Sequence, residues 1–252
     1  MNYAVFANFY DELMQEVPYE DVQEKVGSLL KRYGVSRGLL LDLACGTGTV
    51  SLALSKKGYD VIGVDASAEM LMEAQEKARK EKADILFLCQ DMCHLDLYGT
   101  IDAAICTLDG LNHLESKEEV QEALSKVSLF LNPEGIFIFD VNSLYKHQHI
   151  LCDNTFLYEA EDVFCAWQNT LLEDGESVQM DLDFFIEEEN GLYQRESESL
   201  KERAYPLAVW KKMLEKAGFT ILEILDGYSD QKPTDTTERY LFVVQKKREE
   251  AR

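Results

Sequence analysis

Two stretches hold residues whose types and spacing suit chemistry. The first is Leu39 to Val50, LLLDLACGTGTV, where an apolar run meets Asp42 and then the pair Gly46 and Gly48. Such a run is a buried parallel strand that stops in a glycine turn, with a helix directly behind it. Glycines there adopt angles that a Cβ penalises and let a ligand approach the main chain. The helix start behind them presents free N–H groups and the positive end of its dipole. The second stretch is Thr107 to Leu114, TLDGLNHL, at the end of the apolar run Ile101 to Cys106. Its polar candidates are Asp109, Asn112 and His113. An imidazole that titrates near neutrality suits His113 to take a proton from a nucleophile, although a histidine that only bonds a backbone carbonyl looks the same in sequence.

The glycine turn alone admits several ligands. A dinucleotide fingerprint has a third glycine, and this chain has Ser51 there, which disfavours a nicotinamide oxidoreductase. Asp42, just ahead of the glycines, suits a ligand with an ammonium group better than a pyrophosphate. The next apolar run, Tyr59 to Asp65, ends in an acid one helix and one strand later. An acid in that place can accept both hydroxyls of a ribose.

LDLACGTG followed by GVDAS-x-EML resembles the class I S-adenosylmethionine-dependent methyltransferases, and the resemblance covers most of residues 1–140. It implies an α/β fold, a Rossmann-like, doubly wound, mostly parallel seven-stranded sheet with an antiparallel last strand. It implies S-adenosyl-L-methionine as cofactor and S-adenosyl-L-homocysteine as product. Carried onto this chain, Gly46 and Gly48 with Ala44 hold the methionine portion, Asp42 orients its ammonium, and Asp65 with Ala66 takes the ribose. Met70, Met92, Gln90 and Asp91 frame the adenine, and Thr107 begins the loop facing the transferring methyl. An aromatic N-terminal segment, Tyr3-x-x-Phe6-Ala7-x-x-x-Tyr10-Asp11, resembles the lid of small-molecule members, with Tyr10 the preferred contact and Tyr3 behind it. The same stripe also reads as an ordinary packing face. Asp91 likewise reads as a plain capping residue.

The remaining elements must position these groups. Residues 1–37 read as two helices broken at Pro18, the second running from Tyr19 to Tyr33. Helices are expected over Val50–Lys57, from a Ser67 cap onward, over Lys117–Leu131 and over Tyr205–Gly218. Further strands are expected at Ile85–Cys89, Ile136–Val141, Phe219–Leu225 and Glu238–Gln245, with Asn132–Gly135 as a turn and 227–237 as a polar loop. Residues 144–205 contain alternating segments at Asn154–Glu159, Val163–Leu171, Val178–Glu187 and Leu192–Tyr205, a small inserted antiparallel sheet. The domain reading is therefore a core over 1–143, an insertion over 144–205 and core completion over 206–252. Such an insertion resembles the sheet that roofs the acceptor pocket in sugar-amine and glycine N-methyltransferases; it could equally serve as a dimer platform.

Composition limits the partners. A formal charge of −22, from 47 acids and 25 bases, repels a polyanion. The one basic run, Lys246–Arg248, reads as a solvated tail. The six scattered cysteines and the absence of a signal segment or membrane-length apolar run point to a cytoplasmic protein with reduced thiols. Cys89, Cys93 and His94 lack further ligands for a metal, so no metal is expected. The function expected is S-adenosylmethionine-dependent methyl transfer to a small-molecule acceptor, by a monomer or homodimer. A tRNA or RNA methyltransferase on the same fold and a non-catalytic cofactor binder are the alternatives.

Overall fold

The central apolar runs assemble as strands because each buries side chains on both faces. A computed structural model describes residues 5–188 and 191–248. Its main sheet has seven strands: β1 (Gly38–Leu43), β2 (Tyr59–Asp65), β3 (Leu86–Cys89), β4 (Ile101–Cys106), β5 (Leu131–Asn142), β10 (Phe219–Asp226) and β11 (Arg239–Lys246). Their order is β10-β11-β5-β4-β1-β2-β3. Strands β1 to β5 pair in parallel, and β11 runs antiparallel to both its neighbours. The chain winds outward from β1 to β3 and returns to β4 on the other side of β1, so the order reverses between β1 and β4. Open α/β sheets bind ligands at that switch point, beyond the carboxyl ends of the strands.

Side-chain alternation divides the core into two layers. Leu41, Leu43, Phe137 and Phe139 face one side, where they pack with Phe242 and Trp210 under α5 (Lys117–Phe130) and α6 (Leu207–Lys216). Leu40, Ala103, Ile136 and Ile138 face the other, under α2 (Tyr19–Arg32) and α3 (Thr49–Lys56). Helix α4 (Ala68–Glu81) starts on the expected cap, with Ser67 Oγ accepting from the Met70 N–H. At the start of α5, Ser116 Oγ accepts from the Glu119 N–H while the Glu119 carboxylate accepts from the Ser116 N–H. Ser116→Ala is therefore expected to lower the unfolding free energy by about 1 kcal/mol, read as a shifted urea midpoint at constant slope.

The inserted sheet is present: β6 (Thr155–Glu159), β7 (Val163–Leu171), β8 (Ser177–Glu187) and β9 (Tyr193–Arg203) form one four-stranded antiparallel sheet in that order. Its inner face packs Phe184, Met180 and Cys165 against Phe6 and Leu13 of α1 (Phe6–Leu13). Two local expectations are revised. The turn at Asn132–Gly135 lies inside β5: Leu131 pairs with Ile101 directly after α5, and the intervening residues bulge out until Ile136 pairs with Ala103. The bulge is allowed by Glu134 at φ 66°. Lys146–Leu151 form a π-helical turn that periodicity did not signal. Tyr3, Glu189 and Asn190 lie outside the described residues.

Candidate active site

A cavity of about 640 Å³ opens over the carboxyl ends of β1, β2 and β4, between α1 and the inserted sheet. Its size and mixed lining are those of a small-molecule pocket. Of the expected site residues, Tyr10, Ala44, Gly46, Asp65, Ala66, Met70, Gln90, Asp91, Met92, Asp109 and His113 line it. Asp42, Gly48, Thr107 and Asn112 do not.

The glycine turn explains part of this division. Gly46 has φ +54°, and a Cβ placed on it would meet no atom within 4 Å, so the turn leaves open space on the cavity side. Gly48, at φ +73°, precedes α3, and a Cβ there would come within 2.9 Å of the Ala74 Cβ. Gly48 is thus required by helix packing and does not face the cavity. Asp42 is 1 % exposed and accepts from Ser51 Oγ at 2.5 Å. The serine that replaces the fingerprint glycine holds this acid inside the core. Burial pushes the Asp42 carboxyl up to about 7, against the Ser51 hydrogen bond.

Asp65 is placed by its backbone neighbours. Its carboxylate accepts from the Gly46 N–H and the Ser67 N–H, both at 2.9 Å. Burial raises its carboxyl above the usual range, and these two donors oppose the rise. On the adenine side, Met70 is buried on α4 and Met92 begins a 3₁₀ turn. Asp91 caps that turn, accepting from the Cys93 N–H at 2.8 Å. The Gln90 amide is engaged with the Asp96 main chain at both ends.

Helix α1 spans the cavity and is fastened at both ends. Glu198 of β9 accepts from the Val5 and Phe6 N–H groups at 2.6 and 3.2 Å, supplying the cap that α1 lacks of its own. Asp11 accepts from Thr47 Oγ1 at 2.7 Å and pairs with Lys77 of α4 at 2.6 Å. Thr107 lines a smaller recess of about 50 Å³ beside this latch, with Tyr10, Tyr19 and Thr47.

The loop after β4 is set by charges that sequence spacing does not reveal. Leu108 and Asp109 adopt positive φ, 58° and 62°, and their N–H groups donate to buried Asp140 at 2.8 Å each. Arg239 at the start of β11 bridges Asp109 and Asp140, and Tyr228 also donates to Asp140. Burial raises the Asp109 carboxyl, but Arg239 and Lys146 outweigh it and hold it well below the usual range. Asn112 is 0 % exposed and binds only main chain: its Oδ1 accepts from the Asn142 N–H, and its Nδ2 donates to the Asn142 and Arg203 carbonyls. The catalytic role expected of Asn112 does not fit this geometry; it ties β5 to β9. His113 does face the cavity. Glu202 and Trp167 of the inserted sheet, and Arg239, also line it and were missed. Glu202 sits in an alternating run of Glu, Ser and Lys, where an acid carries no special signal.

A family model described as a methyltransferase domain matches residues 40–135. A protein of Geobacillus sp. (strain WCH70), provisionally named a methyltransferase, is 37 % identical over 247 residues, which is 98 % of this chain and 100 % of that protein. The crystal structure of an S-adenosylmethionine-dependent methyltransferase from Clostridium acetobutylicum ATCC 824 superposes with a TM-score of 0.87 at 33 % identity, covering 97 % of this chain and 99 % of that one. The chain belongs to the class I S-adenosylmethionine-dependent methyltransferases. Its cofactor is accordingly S-adenosylmethionine, and the open cradle at Gly46 with the adjacent Asp65 carboxylate fits that nucleoside. The methyltransferase also shares its fold with the sugar N-methyltransferase KedS8 from Streptoalloteichus sp. ATCC 53650, with a TM-score of 0.78 at 20 % identity over 97 % of this chain and 93 % of that one. Among the described residues no helix is long and apolar enough to cross a membrane, and no group of His, Cys, Asp or Glu is placed to hold a metal.

Proposed function

We propose that this methyltransferase alkylates a nitrogen or oxygen nucleophile on a small-molecule acceptor in the cytoplasm, with residues 144–205 as the acceptor-side insertion. The observation that carries this reading is the cavity itself, which continues from the Gly46 turn to Trp167, Met180, Leu200 and Glu202 under a roof made by α1 and the inserted sheet. That roof suits a metabolite and hinders a folded nucleic acid, in keeping with the acidic charge.

S-adenosylmethionine, when bound, supplies a methyl group already activated as a sulfonium. The chain's own task is then alignment and water exclusion. Asp65 accepts the ribose hydroxyls, Met70 and Met92 flank the adenine, and Tyr10 covers the methionine end. His113 takes the proton of the acceptor nucleophile on its imidazole. Arg239 is the only lysine or arginine among the described lining residues, and it is engaged with Asp109 and Asp140. An amine therefore matches the lining better than a carboxylate or phosphate.

The test is a metabolite extract separated on a cation exchanger, with each fraction assayed for label from methyl-labelled S-adenosylmethionine. Label is expected in the retained fraction. Label only in the flow-through would transfer the reading to neutral or anionic acceptors. Tight cofactor binding with no label in any fraction would make the protein a non-catalytic binder. The latch adds a second expectation. Asp11→Ala should weaken cofactor affinity about threefold by calorimetry, since a half-exposed pair contributes below about 1 kcal/mol, and the difference should shrink in high salt.

A further inference from the structure

The inserted sheet does more than cover the cavity: we infer that Glu202 of β9 is a positioning residue that orients His113 and stabilises its imidazolium. The inference rests on His113 serving as the base, yet it is testable without an acceptor. Glu202 is 5 % exposed, so its carboxylate is held inside the protein and lines the cavity. One oxygen, Oε1, lies 3.9 Å from His113 Nε2. The other, Oε2, accepts from Asn142 Nδ2 at 2.8 Å and lies 3.4 Å from His147 Nε2. His147 is 0 % exposed, and its Nδ1 donates to the Glu176 carbonyl at 2.9 Å, which fixes the ring behind Glu202. Asn142 thus anchors one side of the carboxylate, with the His147 ring lying behind it, and leaves the other side turned toward His113.

No lysine or arginine pairs with Glu202 among the described residues, so its charge stays available to an imidazolium. The charged and titratable groups around the His113–Glu202 pair are Glu202 from β9, Asp109 from the loop of His113, Asp65 from β2 and His147 behind Glu202, with Arg239 and Lys146 balancing Asp109. Glu202 differs from the other two carboxylates in having no competing main-chain or arginine donor. A carboxylate at this distance favours the protonated ring, so a proton arriving from an acceptor is held while the nucleophile reacts. Because Glu202 lies on the inserted sheet and His113 in the core's loop after β4, the pair forms only when the insertion docks on the core. The Asn112 bond to the Arg203 carbonyl, next to Glu202, fixes that docking.

The experiment follows the His113 ring protons by NMR across pH in the full-length protein, with His113→Gln identifying the signal. Glu202→Gln is expected to move the His113 midpoint to lower pH by about one unit, while calorimetric affinity for S-adenosylmethionine stays within twofold. An unmoved midpoint overturns the inference, and so does loss of cofactor binding in parallel, which marks a purely structural role. Should Glu202→Gln fail to fold, Glu202→Asp carries the test. It keeps the charge but withdraws it by one methylene, and the midpoint should fall by a smaller amount; no change again overturns the inference. Failure here leaves the cofactor and acceptor readings untouched, since neither enters the titration.

Discussion

Replacing Arg239 with methionine is expected to lower the unfolding free energy by about 3–5 kcal/mol at neutral pH. Arg239 bridges Asp109 and Asp140, and Asp140 is wholly buried while receiving the N–H groups of Leu108 and Asp109. Methionine fills a similar volume but removes the guanidinium between them, so two carboxylates face each other in a low-dielectric site. The sign with pH follows from Asp109. Its carboxyl is held well below the ordinary value in the folded state, so its contribution is present above the unfolded value near 4 and is lost as pH falls toward the folded one. The deficit of the variant should therefore be largest at pH 7 and shrink below about pH 4, where protonation relieves the repulsion. Urea titrations at both pH values measure it. A loss under about 1 kcal/mol at pH 7, the range of an exposed ion pair, would mean that the bridge is solvated.

The second large effect concerns the cofactor. Asp65→Ala should weaken S-adenosylmethionine at least tenfold, about 1.4 kcal/mol, by calorimetry. The change removes the acceptor proposed for the ribose hydroxyls. It also releases the Gly46 N–H, which Asp65 now holds at 2.9 Å, and so loosens the turn after β1. Asp65→Asn should lose less, because the amide oxygen can still accept from one of the two N–H groups. Equal affinity in wild type and Asp65→Ala would remove the ribose assignment and leave Asp65 as a residue that only shapes the turn.

Local pattern reached the elements and missed the polar contacts between them. The strand at Tyr59–Asp65 was legible because an apolar, β-branched run between polar neighbours has few other solutions. Ser67 was legible as a cap because its partner, Met70, is three residues away. The π-helical turn at Lys146–Leu151 was not, since His147 is buried by the Glu176 carbonyl just before β8 and by Glu202 of β9 rather than by anything in its own period. Asp42 and Asn112 show the opposite error. Each is polar and next to a strand tip, so each resembled a site residue, yet Ser51 and the β5 main chain draw them inward.

The sequence by itself determined a strand that ends in a glycine turn, an acid at the tip of the next strand, and an alternating insertion, because each depends on neighbours a few residues apart. Only the tertiary structure decided which acids face the cavity. Asp109 is held by Arg239 from the far end of the chain, and Glu202 of the inserted sheet meets His113 of the loop after β4. A charge on a strand is silent about its surroundings until a distant segment packs over it, since water and a buried partner satisfy the same carboxylate equally well in a one-dimensional pattern.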